Sequence, residues 1–218
     1  MKIQELHNLF IEQKQNFTTD TRKISKNAIF FALKGENFNG NIFAKQALEK
    51  GAAYVIIDEK EYYINDRTIL VDNVLNKLQQ LAHFHREHLG IPIIALTGSN
   101  GKTTTKELIR EILTTQYNIN ATTGNLNNHI GVPLTLLSMN NDTEIGVVEM
   151  GANHLKEIQH LCFIAAPNFG YITNFGKAHL EGFGSEEGIV QGKSEMYDYI
   201  ANAEGIAFVN KEQPLMVE

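Results

Sequence analysis

The chain has one cysteine, Cys162, so an internal disulfide is excluded, and the usage fits a reducing compartment. It has no basic excess. Lys and Arg number 19 against 25 Asp and Glu, a formal net charge of -6, which gives no electrostatic ground for a nucleic-acid partner. Long apolar runs are missing too. Met1-Lys2-Ile3-Gln4-Glu5-Leu6-His7 lacks an apolar signal core, and no later stretch has the length to cross a bilayer. The expectation is a cytoplasmic protein without a membrane partner. With 43% hydrophobic and 20% charged residues in 218, what remains is an ordinary globular composition with room for one large or two small domains.

Residues 97–105 read Thr-Gly-Ser-Asn-Gly-Lys-Thr-Thr-Thr, directly after the apolar run Ile91-Pro92-Ile93-Ile94-Ala95-Leu96. A buried strand that breaks into small residues, then Gly-Lys-Thr, then a helical pattern, is a phosphate-binding loop. Its glycines let backbone N–H groups turn around phosphate oxygens, Lys102 adds a point charge, and the helix start adds its dipole. The usual spacing puts the first glycine at 96, which is Leu96, so this is a shortened loop: Gly98, Ser99, Asn100, Gly101, Lys102, Thr103. Thr103 stands where the loop hydroxyl reaches Mg²⁺, and Thr104 is next to it.

Before this loop the pattern predicts a short amphipathic helix over 3–10, strands at 28–33, 53–57 and 68–71, and a helix ended by Gly51. A longer helix over 74–89 would bury Leu75, Leu78, Leu81, Ala82 and Leu89, and Pro92 just past it puts a domain boundary near Gly90. His83, His85 and His88 on that helix suggest zinc at first sight, but 83 and 85 point to different faces and no cysteine is near, so they read as solvated. After the boundary, strands alternate with helices: 93–96, helix 102–117, a strand near 119, 144–149, helix 155–162, 169–173, helix 187–200 and 205–209. The fold class is α/β: a small N-terminal domain, residues 1–89, then a mainly parallel sheet covered on both faces, residues 90–218. Ligands in such sheets sit beyond the carboxyl ends of the strands, where the loop after Leu96, Glu149 and Thr173-Asn174 all fall. The tail 211–218 follows a strand with no closing helix, which suggests a truncated central domain.

Glu149 ends the apolar strand Ile145-Gly146-Val147-Val148 and precedes Met150-Gly151-Ala152. A carboxylate at a strand tip can reach a metal across the sheet; the bland reading is a capping or surface acid. Asn174 and His179 follow another strand and face the same rim, so phosphate or metal contact is expected. Lys193, in Gln191-Gly192-Lys193-Ser194-Glu195, reads from sequence alone as a solvated lysine. The stretch 123–133, with Asn125, Asn127 and Asn128, is dense in amides; turns are the plain reading, and spacing does not say which amide would hold a ligand.

Together these segments resemble the Mur ligase family, ATP-dependent amide-forming enzymes of bacterial cell-wall precursor synthesis. The matching blocks are residues 97–107, 125–137, 149–152 and 173–185, with Thr19-Asp20-Thr21-Arg22 and Phe30-Phe31-Ala32-Leu33-Lys34-Gly35 in the first domain. The resemblance implies that 1–89 binds a UDP-muramoyl substrate, through Thr19, Asp20, Thr21, Arg22, Lys34 and Gly35, with Asn125 and Asn128 contributing from the second domain. It implies that ATP phosphorylates the terminal carboxylate of UDP-N-acetylmuramoyl-tripeptide and that D-alanyl-D-alanine attacks the acyl phosphate. Lys102 would stabilise the moving phosphoryl group, while Thr103, Glu149, His179 and Lys193, the last often carbamylated in the family, would hold two Mg²⁺ ions. The sequence departs from the family at Asn39-Gly40-Asn41, where Asp-Gly-His is common, at Lys156, where glycine is frequent, and at Phe175, where isoleucine is.

The rivals are a sister ligase acting on the UDP-muramoyl dipeptide, a nucleotide-binding module without catalysis, and, more remotely, a dinucleotide oxidoreductase. Family members also carry a C-terminal domain that helps bind ATP and receives the amine. A piece of this length is therefore expected to show no ligase turnover; ATP- and D-alanyl-D-alanine-dependent product from the purified chain would overturn that expectation.

Overall fold

The computed structural model describes residues 1–176, 180–213 and 215. It divides into two compact units, Met1–Phe84 and His85–Glu218. Among the described residues no helix is long and apolar enough to cross a membrane.

The first unit begins with α1 (Ile3–Glu12), whose Leu6 and Phe10, four residues apart, are both fully buried. Then come β1 (Phe17–Thr18), β2 (Ile29–Phe31), the antiparallel hairpin β3 (Lys34–Gly35) and β4 (Phe38–Asn39), α2 (Ala44–Glu49), β5 (Tyr54–Ile57), β6 (Thr68–Leu70) and α3 (Val74–Leu89). Four strands form a parallel sheet in the order β1-β2-β5-β6. Every residue of β2 is buried, as a continuous apolar run in a sheet covered on both faces requires. Phe30, Ala32, Val55 and Ile57 pack with Ala44, Ala47 and Leu48 as one core.

Helix α3 has the bounds its periodicity predicts, and Leu78, Leu81 and Ala82 are buried, with Leu75 and Leu89 half-buried. The sequence placed the domain boundary near Gly90, at the end of α3; by contact the units divide inside that helix, at Phe84. Its histidines need one correction. His85 is fully buried rather than solvated, with Nε2 2.9 Å from the Met139 carbonyl oxygen, because it continues the stripe of Leu78, Leu81 and Ala82 at helical spacing. Burial lowers its pKa, against the pull of that hydrogen bond. The next residue, Arg86, donates to the Ala165 and Ala166 carbonyls and to Asn168 Oδ1, and that same Oδ1 accepts from the Ile93 N–H.

The second unit holds β7 (Ile93–Thr97), α4 (Lys102–Leu113), β8 (Ile119–Ala121), α5 (Gly131–Leu137), β9 (Ile145–Glu149), α6 (Glu157–Ala165), β10 (Phe169–Ile172), α7 (Leu180–Phe183), α8 (Glu186–Asn202) and β11 (Ile206–Phe208). Five parallel strands run in the order β11-β10-β7-β9-β8. The mixed α/β architecture with mainly parallel sheets expected from the sequence is what the chain adopts. From β7 the chain turns toward β8 on one side, and from β10 toward β11 on the other. The tips of β7 and β10 therefore lie at a topological switch point, where such sheets hold ligands.

Two local differences have simple causes. Helix α4 stops at Leu113, short of Tyr117, where the Thr114 and Thr115 hydroxyls turn back onto the Arg110 and Ile112 carbonyls and compete with further winding. Helix α5 begins in the last three residues of the stretch 123–133 that read as turns. Its Pro133 sits in the first turn, where a missing N–H costs nothing, and Val132, Leu136 and Leu137 are buried.

At the start of α6, Lys156 adopts φ 69°, the left-handed region that favours glycine. Its backbone N–H and that of Gln159 are received by the Glu195 carboxylate from α8, at 2.5 and 3.0 Å. The family's frequent glycine thus stands where the backbone asks for one, while this chain carries an exposed lysine. Lys156→Gly should raise stability by about 1 kcal/mol, the left-handed cost less glycine's extra chain entropy; a denaturant midpoint that falls would contradict this.

Candidate functional site

β7 delivers the loop to the switch point. Gly98 has φ 142°, and a Cβ there would lie 1.9 Å from Thr173 Oγ1, so no side chain fits. Gly101 has φ 77° and open space beside it. The chain leaving β10 clasps the loop. The Ser99 N–H donates to the Asn174 carbonyl (3.1 Å) and the Asn100 N–H to Asn174 Oδ1 (3.1 Å). In return Asn174 Nδ2 (2.9 Å) and Thr173 Oγ1 (2.6 Å) donate to the Asn100 carbonyl, and Ser99 Oγ donates to the Gly176 carbonyl (2.7 Å). Asn174, expected at the nucleotide, is placed by this geometry as the frame of the loop.

Helix α4 starts at Lys102 with no side-chain cap among the described residues, which leaves its first N–H groups for an anion. Lys102 Nζ donates to the Gly98 carbonyl at 2.7 Å. Burial lowers its pKa, opposed by the charge of Glu149. Thr103 Oγ1 donates to Glu149 Oε2 at 3.1 Å, while Thr104 is exposed.

Glu149 is no surface acid: 1% of it is exposed. Its Oε1 accepts from Asn127 Nδ2 at 2.9 Å, and its N–H donates to Thr122 Oγ1 at 3.0 Å. Asn127 is itself held, since its carbonyl accepts from the Gly151 N–H at 2.7 Å. The other two amides of this stretch lie elsewhere. Asn125 is exposed, and Asn128 Oδ1 accepts from the Ile130 and Gly131 N–H groups at the start of α5. Asn127 is thus the amide at the carboxylate, which three asparagines within four residues could not reveal in advance. Among the described residues no three His, Cys, Asp or Glu side chains gather as a metal site. A hydroxyl and a single carboxylate nevertheless suit Mg²⁺, which keeps waters and shares phosphate oxygens.

Lys193, read from sequence as solvated, is 1% exposed on α8, with Nζ 5.4 Å from the centre of the Phe183 ring. Gly192 makes room for that ring, since a Cβ would lie 2.4 Å from Phe183 Cε1. Burial, helped by the charge of Lys102, pulls its pKa down to about 8. A signal was available: Ile189, Lys193, Met196 and Ile200 are all buried at helical spacing, so the lysine interrupts an apolar stripe. Of the four residues expected to carry chemistry, Lys102 and Glu149 share the loop region, Lys193 is buried within reach of Lys102's field, and His179 lies outside the described residues.

In the first unit, Asp20 receives the Arg22 guanidinium at 2.9 and 2.8 Å. That pairing, with the Arg22 backbone N–H, brings the Asp20 pKa to about 2. Thr19 is half-buried beside this turn, and the Thr21 carbonyl accepts from Lys50 Nζ. Lys34 lies 3.1 Å from Asp58 and 3.2 Å from Glu59, which raise its pKa. Gly35 is open on its Cβ side. The unusual Asn41 is fully buried and exchanges hydrogen bonds with Asp58 through its side-chain amide.

The lowered Lys193 pKa has a signed consequence. Below about pH 8 the folded protein carries the buried charge, and the penalty fades as pH rises toward the usual lysine value of 10.5. The native protein should therefore gain thermal stability relative to Lys193→Met across that window; parallel melting curves with no change in their separation would contradict it.

A family model described as the Mur ligase middle domain matches residues 96–218, and one described as the Mur ligase family, catalytic domain, matches 15–86. A UDP-N-acetylmuramoyl-tripeptide–D-alanyl-D-alanine ligase of Bacillus subtilis is 44% identical over 200 residues, covering 91% of this chain and 44% of that protein. MurF from Acinetobacter baumannii superposes with a TM-score of 0.85 at 37% identity, over 92% of this chain and 44% of that one. The MurF ligase of Thermotoga maritima, solved in complex with ADP, gives 0.79 at 35%, over 86% of this chain and 44% of that one. The chain spans less than half the length of these relatives. Matched in both units and in the order of its blocks, it belongs to the Mur ligase family.

Proposed function

We propose that the protein to which this chain belongs is an ATP-dependent ligase joining D-alanyl-D-alanine to UDP-N-acetylmuramoyl-tripeptide through an acyl phosphate. The observation that carries the reading is the pairing of an uncapped phosphate-loop helix with the contact between Thr103 and the buried Glu149 at the switch point. The relatives' printed names supply the substrates, and the ADP bound by the Thermotoga maritima enzyme supports the nucleotide. In this reading residues 1–89 receive the UDP-muramoyl substrate and 90–218 are part of the ATP-binding central domain.

The polyphosphate lies against the N–H groups at the start of α4, Gly101 to Thr103, held by the helix dipole. Lys102 exchanges the Gly98 carbonyl for a phosphate oxygen and offsets charge on the phosphoryl group as it moves. Thr103 and Glu149 would hold Mg²⁺, with Asn127 keeping the carboxylate aimed, and the ion would supply positive charge against the repulsion between phosphate and substrate carboxylate. That carboxylate attacks the γ-phosphorus and ADP leaves. The dipeptide amine then attacks the acyl carbon, and phosphate leaves with the amide formed and a proton released. Lys193, its pKa pulled down to about 8, presents a larger share of neutral amine than a solvated lysine for attack on CO₂, losing a proton and becoming a carbamate. With His179 that group would serve a second Mg²⁺.

Calorimetric titration tests this, with UDP-muramoyl tripeptide, the dipeptide precursor and Mg-ATP in separate runs. The tripeptide compound should bind more tightly than the dipeptide, and ATP should bind more weakly with EDTA in place of Mg²⁺. In bicarbonate-free buffer Mg-ATP affinity should drop for the native chain and not for Lys193→Met. Preference for the dipeptide would favour the sister ligase. Nucleotide binding with no response to either UDP compound, in a folded sample, would favour a binding module.

A further inference from the structure

Lys106 is fully buried in α4, one turn beyond Thr103 and on the same face. Its Nζ donates to the Thr122 carbonyl at 2.6 Å and pairs with Glu107 at 2.8 Å. Thr122, 2% exposed, gives its N–H to the Val147 carbonyl (2.9 Å) and receives the Glu149 N–H on Oγ1 (3.0 Å). One residue therefore links the ammonium to the backbone of the carboxylate that Thr103 touches. Burying an ammonium costs several kcal/mol even when it is paired, and a methionine would fill the space without that cost, so packing alone does not explain a lysine here.

We propose that Lys106 and Thr122 are positioning residues that fix the tip of β9, so that the Glu149 carboxylate meets Thr103 in the geometry a divalent cation needs. Thr103 sets the side chain from the first turn of α4, and Lys106, three residues on, sets the backbone from the same helix through Thr122. Ligand and support thus move as one body. The inference rests on the reading of Thr103 and Glu149 as the Mg²⁺ holders. It predicts that the loop's grip on phosphate and its response to the metal can be separated.

The test follows amide shifts of residues 98–104 in this chain during ATP titration, with Mg²⁺ and with EDTA. Lys106→Met should keep the EDTA affinity and lose about tenfold of the affinity gained with Mg²⁺, the size typical of removing a support behind a metal ligand. Half-buried Glu107 keeps its pairing with Arg110 and its access to solvent in that variant. Thr122→Val should reproduce the loss and Thr122→Ser should restore the native response, a pattern that general destabilisation would not give. An unchanged Mg²⁺ gain in Lys106→Met, or in Thr122→Val if the first variant fails to fold, overturns the proposal. If the native chain shows no Mg²⁺-dependent binding, the ligase reading is what fails. Hydrogen exchange of the Glu149 amide then still decides the link: about tenfold faster exchange in Thr122→Val with Thr122→Ser as native supports it, and equal rates in all three overturn it.

Discussion

A carboxylate buried at the tip of a central strand is the constraint around which the second unit is arranged. Moving an ionised group out of water costs several kcal/mol, and only a full set of hydrogen bonds recovers it. The Glu149 carboxylate accepts from a hydroxyl on α4 and an amide from the segment before α5, while its backbone N–H is received by Thr122 Oγ1. Each partner arrives from a different part of the chain, so β9 cannot shift without disturbing all three contacts. The same arrangement leaves the carboxylate beside a helix start whose N–H groups are unspent, an acid and an anion cradle adjoining at the switch point. A cation between them is the natural way to reconcile the two.

The first unit solves a related problem differently. Its cationic candidates are already engaged by neighbouring acids, Arg22 by Asp20 and Lys34 by Asp58 and Glu59. Burial works to raise the Asp58 pKa, yet hydrogen bonds from Asn41 and the Val74 N–H, with Lys34, hold it below the usual carboxylate value. Any incoming phosphate would have to compete with these acids for the cations.

Much of this was legible in the residues. Gly98, Gly101 and Lys102 after an apolar run announce the loop because their requirements are local: positive φ, no Cβ and a helix start. The burial of Glu149 was half visible, since a strand tip fixes where the backbone goes but not what covers the side chain. What stayed hidden depends on elements far apart in sequence. Asn127 was chemically indistinguishable from Asn125 and Asn128. His85 and Lys193 were overlooked although each continues a buried stripe at helical spacing, because a titratable residue was weighed by its type instead of its position. Lys106 gave no pattern at all; only Thr122, 16 residues away, explains it.

The contact between Gly98 and Thr173 ties two positions 75 residues apart into an unequal bond. Trimming Thr173 would open space beside Gly98 but would not relax its φ of 142°, so position 98 stays closed to other residues whatever its neighbour does. Position 173 has some latitude, since serine would keep the hydroxyl that holds Asn100. A substitution at this contact is therefore tolerable on the β10 side alone, with the glycine as its fixed point.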